Sequence, residues 1–212
     1  MKSHEQMCGL AVALDYLGDR WTLLIVRELL VEPRTFSQLQ SVLRGCSPNL
    51  LVDRLKDMSA NGLILQKARS TSTRMPYQLT ELGRSLRGPV ESLIRWGGRL
   101  IPGQRGLKDR YPHWMEVAIP ALLRPKIKAN ERFRIQFQID KYVFAVISDG
   151  VHLDVIKGET EQPDLILNLS YQRTLAVLSG YVSLKSLASD EITSTKYNSK
   201  AKAVKRLQEI LS

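Results

Sequence analysis

Histidine, cysteine and long apolar runs are scarce in this chain of 212 residues, and each scarcity closes off a class of function. The three histidines, His4, His113 and His152, stand far apart, and none falls in a metal-ligand spacing such as H-E-x-x-H. Two cysteines, Cys8 and Cys46, are too few for a disulfide-stapled scaffold and fit a reducing compartment. No apolar stretch reaches the roughly 18 residues of a membrane span. The opening MKSHEQMCGL lacks the apolar stretch of a signal peptide. A cytoplasmic protein with no membrane partner is expected. Also missing are a P-loop, a G-x-S-x-G elbow and a dinucleotide G-x-G-x-x-G. The carboxylates Asp149, Asp154, Glu159, Glu161 and Asp164 lie near turns and read as solvated groups. The expectation is a protein that is not an enzyme, with neither cofactor nor metal.

Positive charge is plentiful and unevenly placed. The formal net charge is +10. Residues 1–112 carry 17 Lys and Arg against 10 Asp and Glu, whereas residues 113–212 carry 14 against 11. Long-range attraction would draw an anionic partner to the first half. A solvated basic surface would have the same composition.

The stretch GGRLIPGQRGLKDRYP, residues 97–112, is rich in Gly, Pro and basic residues and lacks periodicity, as a linker does. The expected division is a first domain over 1–100, a linker over 101–112 and a second domain over 113–212. Before the linker the pattern is mainly helical. Leu10 to Leu17 predicts a short helix, and WTLLIVRELL (21–30) is apolar around most of its circumference, as suits the centre of a small domain. In TFSQLQSVL, Thr35 and Gln38 have capping-box spacing. SPNLLVDRLKDMSANGL (47–63) follows, with Ser47 as cap, Pro48 at the first helical position and Asn61-Gly62 as terminator. LILQKA and PYQLT predict two strands joined by the polar loop RSTSTRM, and a helix from Glu81 to about Arg99 closes the half, bent near Gly88-Pro89. Helices, then a hairpin with a basic tip, then a helix make a winged helix-turn-helix arrangement.

The helix after Ser47 carries the functional signal. At 100° per residue, Leu50, Leu51, Leu55 and Met58 fall on one side, and Asn49, Val52, Asp53, Lys56 and Ala60 on the other. A solvated face would carry more long charged residues and no Val. Major-groove reading gives each member a use: Asn pairs with adenine, Val meets a thymine methyl, Asp accepts from cytosine, and Lys reaches guanine or phosphate. Arg54 sits at the flank, suited to a phosphate or to an ion pair with a neighbouring helix. Thr35 and Ser37 lie at a helix N-terminus that favours a phosphate. Lys67, Arg69 and Arg74 would follow the adjacent backbone or minor groove from the hairpin.

These residues also carry a resemblance. CGLAVALDYLGDRWTLLIVRELL, RTFSQLQ, SPNLLVDRLKDMSANGLI and PYQLTELGRSL resemble the HxlR-type winged-helix regulators of bacteria, continuously from about Cys8 to Trp96. The resemblance implies a homodimeric transcription factor on double-stranded DNA, often a repressor, with the helix from Ser47 to Asn61 as recognition element. Val52 and Asp53 stand where such proteins more often carry small polar or amide residues, so the operator is not inherited by analogy. Gly9 replaces a usual Pro. Cys8 aligns with a cysteine that some members use to sense oxidants or electrophiles, which makes it a redox candidate. Cys46 reads as a small packing residue.

The second half predicts an α+β domain with an antiparallel sheet. HWMEVAIPALLRPKIKA reads as helical with interruptions at Pro120 and Pro125. RFRIQFQID alternates as a half-buried strand, and YVFAVISDGVHLDVIKG gives two strands around an Asp149-Gly150 turn. PDLILNLS is another strand, YQRTLAVLSG a helix, EITSTK a last strand, and SKAKAVKRLQEIL an amphipathic closing helix. Residues 130–211 resemble a sterol-carrier-protein-like domain. That implies a cavity between sheet and helices for a hydrophobic small molecule, with Leu175, Leu178, Tyr181, Leu184 and Leu187 as candidate lining. The same residues would equally fill an ordinary core. Two functions stay open: a transcriptional regulator responsive to an apolar ligand, and a lipid carrier or interaction protein whose helix-turn-helix no longer reads DNA.

Overall fold

The computed structural model describes residues 4–66, 75–101, 111–127, 130–183, 186–188 and 190–194. Two compact units divide at Val90/Glu91.

The first unit is built around α2 (Thr22–Val31), whose Ile25, Val26 and Leu29 are buried together with Trp21 just before it. Around it stand α1 (Gly9–Leu17), α3 (Phe36–Val42) and α4 (Pro48–Ala60). Leu39 of α3 and Leu51, Leu55 and Met58 of α4 are buried. A short antiparallel hairpin follows, β1 (Ile64–Gln66) with β2 (Tyr77–Leu79), in the register Ile64 to Leu79. Arg34 adds a bridge to its outer edge: the Arg34 N–H donates to the Tyr77 carbonyl at 3.0 Å, and the Tyr77 N–H donates back at 2.8 Å.

The helix expected from Glu81 to Arg99 is two helices, α5 (Glu81–Ser85) and α6 (Arg87–Gly98), parted at Leu86 rather than bent at Gly88-Pro89. Proline explains the displacement. Pro89 has no N–H for the Ser85 carbonyl and its ring would crowd it, so it fits only in the first turn of a new helix. The first bond of that helix runs from the Val90 N–H to the Leu86 carbonyl at 2.9 Å.

The second unit begins inside α6, not beyond it. Ile94 packs on the second unit's core, and Arg95 donates to the Ala121 carbonyl at 3.0 Å. Of the expected linker, residues 102–110 lie outside the described residues. Then come α7 (Met115–Leu123), β3 (Arg132–Ile139), β4 (Tyr142–Asp149), β5 (Leu153–Lys157), β6 (Leu165–Leu169), α8 (Tyr171–Leu178) and β7 (Ile192–Ser194). Pro120 does not interrupt α7 but lies within it, in a helix buried from Val117 to Leu123. The closing helix expected over 199–211 falls outside the described residues.

The sheet order is β5-β4-β3-β6-β7, and it is mixed rather than antiparallel: β3 and β6 run parallel, Ile135 beside Leu165 and Ile139 beside Leu169. The reason is the connection over 158–164. It crosses the sheet instead of folding back as a hairpin, and on the way the Thr160 N–H donates to Gln136 Oε1 and Arg134 donates to the Glu161 carbonyl. Gln136 is thereby buried on the sheet face opposite the main core. On the core face, Phe133, Ile135, Phe137 and Ile139 meet Phe144, Val146 and Leu167, and α7 and α8 cover them.

Candidate nucleic-acid interface

Two capped helix starts set the geometry of the first unit. Thr35 forms a complete capping box with Gln38: its N–H donates to Gln38 Oε1 at 2.8 Å, and its hydroxyl accepts from the Gln38 N–H. Ser47 accepts from the Leu50 N–H at 3.3 Å, with Pro48 in the first turn. Between them the chain turns at Gly45, whose φ of +85° is left-handed and suits glycine. Gln40 closes the turn by donating to the Cys46 carbonyl at 2.7 Å. The two helices therefore leave the turn in fixed directions.

On α4 the apolar residues Leu51, Leu55 and Met58 are buried, while Asn49, Val52, Asp53, Lys56 and Ala60 are exposed. Leu50 is half-buried and sits at the margin. Val52 is 37% exposed, an apolar side chain turned to solvent amid polar neighbours. Arg54 is the member whose charge is already engaged. Its guanidinium pairs with Asp57 at 3.2 Å and Asp19 at 3.7 Å, the ion-pair side of the two uses its flank position allowed. Asp19 belongs to the α1–α2 connection, so Arg54 fastens α4 to the rest of the unit. Ser37 and Ser47 are exposed, and Thr35 is half-buried. Lys67, Arg69 and Arg74 lie outside the described residues.

Sequence reasoning missed an ionic anchor beneath the hairpin. Glu28 on α2 is fully buried; Arg27 donates to it at 2.7 Å, and the Arg34 guanidinium lies 3.5 Å away. Arg34 also holds β2 through its backbone and immediately precedes the Thr35 cap. One residue thus ties α2, the start of α3 and the hairpin. A charged residue inside the apolar run WTLLIVRELL was the available signal, because such a group needs a partner when buried.

Cys8 is exposed and occupies the N-cap position of α1 without a side-chain capping hydrogen bond. Backbone N–H groups of Ala11 and Leu10 stabilise its thiolate and lower its pKa. Cys46 is buried, and burial raises its pKa, in keeping with packing.

In the second unit the described candidate lining residues differ in burial. Leu178 is wholly buried in the core, and Leu175 and Leu187 are half-buried against it. Tyr181 is 53% exposed, and Leu184 lies outside the described residues. Among the described residues there is no metal-binding group of His, Cys, Asp or Glu, and no helix is long and apolar enough to cross a membrane.

Comparison with known proteins bears on the first unit. A family model described as HxlR-like helix-turn-helix matches residues 16–105. The HTH-type transcriptional regulator Rv3095 of Mycobacterium tuberculosis is 37% identical over 114 residues, 52% of this chain and 72% of that protein. YvaP of Bacillus subtilis, also named an HTH-type transcriptional regulator, is 32% identical over 101 residues, 47% of this chain and 94% of that protein. YkvN of the same organism, of the same type, is 29% identical over 92 residues, 43% and 78% of the two chains. A capped helix pair, an exposed mixed face on its second helix and these relatives lead to one assignment. The chain belongs to the HxlR-like helix-turn-helix family of transcriptional regulators.

Proposed function

We propose that this protein is a homodimeric, sequence-specific regulator that represses transcription by holding α4 in the major groove of double-stranded DNA. The observation that carries the reading is the division of α4. Three buried apolar residues fix its axis, and the opposite face offers Asn49, Val52, Asp53 and Lys56 to solvent. Each of these matches a base-edge chemistry of the groove. Lys67, Arg69 and Arg74, together with Ser37 and Ser47, serve phosphates, which set register without reading sequence.

Dimerisation draws on α1. Only Ala11 of that helix is buried, whereas Leu10, Val12, Leu14 and Tyr16 are exposed. A short helix this apolar and this uncovered needs a partner surface. A symmetric dimer would then read two half-sites about one helical turn, ~34 Å, apart. The second unit serves as a sensor domain for an apolar small molecule that alters operator affinity.

The test is an electrophoretic shift assay with DNA from upstream of the protein's own gene, across a range of salt. Tight binding that weakens steeply with salt supports the reading. Binding no stronger than to unrelated DNA of the same length contradicts it.

A further inference from the structure

In the second unit, the end of α6 and the outer side of α8 leave an open groove of about 300 Å³, lined by Gly98, Ile101, Gln172, Leu175, Ala176, Ser179 and Tyr181. Its floor is Leu175, which rests on the core. The Tyr181 ring makes one wall, and its hydroxyl donates to the Arg99 carbonyl at 3.1 Å, pinning the ring against the end of α6. Gly98, the last residue of α6, also lines it. A Cβ placed there would meet nothing nearer than Ser179 Oγ at 3.9 Å. Backbone crowding therefore does not require glycine at 98, and the missing side chain keeps the groove open.

Among the described residues the lining contains no Asp, Glu, Lys, Arg or His, in a chain whose net charge is +10. A charged ligand desolvated there would find no counter-charge, so the site complements an uncharged one. Size points the same way. A partner helix with its side chains is about 10–12 Å across, whereas a groove of this volume falls at the small end of small-molecule pockets.

We propose that this groove binds a neutral, largely apolar molecule of one or two fused rings, with Ser179 and Gln172 offering hydrogen bonds at its rim. The proposal rests on the ligand-responsive reading above and assigns the site. It moves that site from the sheet–helix interior, where Leu178 is already packed, to the α6–α8 surface. The location has a mechanical consequence. α6 is one helix from Arg87 to Gly98; it begins in the first unit and ends in the second. A molecule that restrains its last turn acts on a helix shared with the DNA-reading unit, and any effect equals its differential affinity for the states of that helix.

N-phenyl-1-naphthylamine, a neutral dye that brightens in apolar sites, is the probe. It is titrated into the full-length protein and into two groove-filling variants, Gly98→Leu and Ala176→Phe, with thermal melts as folding controls. Operator affinity is measured for each with and without dye. The expected result is saturable enhancement in the wild type, weakened at least tenfold in every variant that melts like the wild type. No saturable enhancement in the wild type overturns the proposal, as does undiminished binding by a folded variant. Enhancement that appears only on dilution into monomers would show that a second copy covers the groove, and overturns it too. The regulatory reading fails separately: a dye that binds the groove but leaves operator affinity unchanged keeps the site and removes its role. A dye that shifts operator affinity equally in wild type and filled variants keeps the role and removes the site.

Discussion

At Gly83 a missing side chain holds the first unit together. A Cβ there would lie 2.1 Å from the Leu63 carbonyl oxygen, which is backbone and cannot step aside. Gly83→Ala is therefore expected to destabilise the protein by about 1–3 kcal/mol or more, read as a lower urea midpoint with an unchanged slope. Glu28 poses the opposite problem, a charge with no water. Removing it takes a buried carboxylate from Arg27 and from Arg34, which keeps Glu32 at 3.3 Å, and losing one partner of a buried pair costs about 3–5 kcal/mol. Glu28→Ala should show a loss of that size in chemical denaturation, and a loss below ~1 kcal/mol would mean the pairs contribute little. The two thiols separate by environment. In the folded protein Cys8 should alkylate first, with a pH profile whose midpoint lies below that measured in denaturant, because helix N–H groups favour its thiolate. Cys46 should stay protected until unfolding. Coincident profiles for Cys8 in the two conditions would remove the basis for a redox role.

Among elements, those specified by local chemistry were legible in the sequence. Ser47, Pro48 and Asn61-Gly62 mark α4 because capping and termination involve residues within a turn of each other, and Thr35 with Gln38 marks α3 the same way. Ser47→Ala should cost about 1 kcal/mol, seen in thermal melts, and should loosen the start of the helix that presents Asn49. The elements that were misjudged depend on distant partners. β6 reads as a strand from its own residues, but its parallel place beside β3 is decided by a crossing connection held by Gln136 and Arg134. Pro120 reads as a breaker, yet α7 is buried along its length, and burial of the apolar residues around it outweighs the lost hydrogen bond. Pro89 does interrupt the helix, but the break lies at Leu86, because proline belongs in the first turn of the helix that follows. The exposed side of α4 was legible because its burial follows one period. The burial of the candidate lining residues was not: Leu178 and Tyr181 share an apolar pattern, and only packing sends one to the core and the other to solvent.

For the whole molecule, the matched family region ends at residue 105 while the compact units divide at Val90/Glu91, so the sequence family and the folded unit do not share a border. α6 (Arg87–Gly98) crosses the border between the units and ends inside the matched region. The exposed apolar surface of α1 predicts a dimer at micromolar concentration in sedimentation equilibrium, and Leu10→Glu together with Leu14→Glu should shift it toward monomer without lowering helix content. A monomeric wild type would leave one α4 per molecule, too few contacts for specific reading. The most direct measurement of the central claim is selection of binding sites from randomised duplex DNA, run in parallel with the wild type and Asn49→Ala. The wild type should enrich a pseudo-palindrome with half-sites about one helical turn apart. Asn49→Ala should enrich the same motif with preference lost at one position in each half-site and affinity reduced by about 1–3 kcal/mol. Identical motifs and affinities from the two proteins would contradict the placement of α4 in the groove.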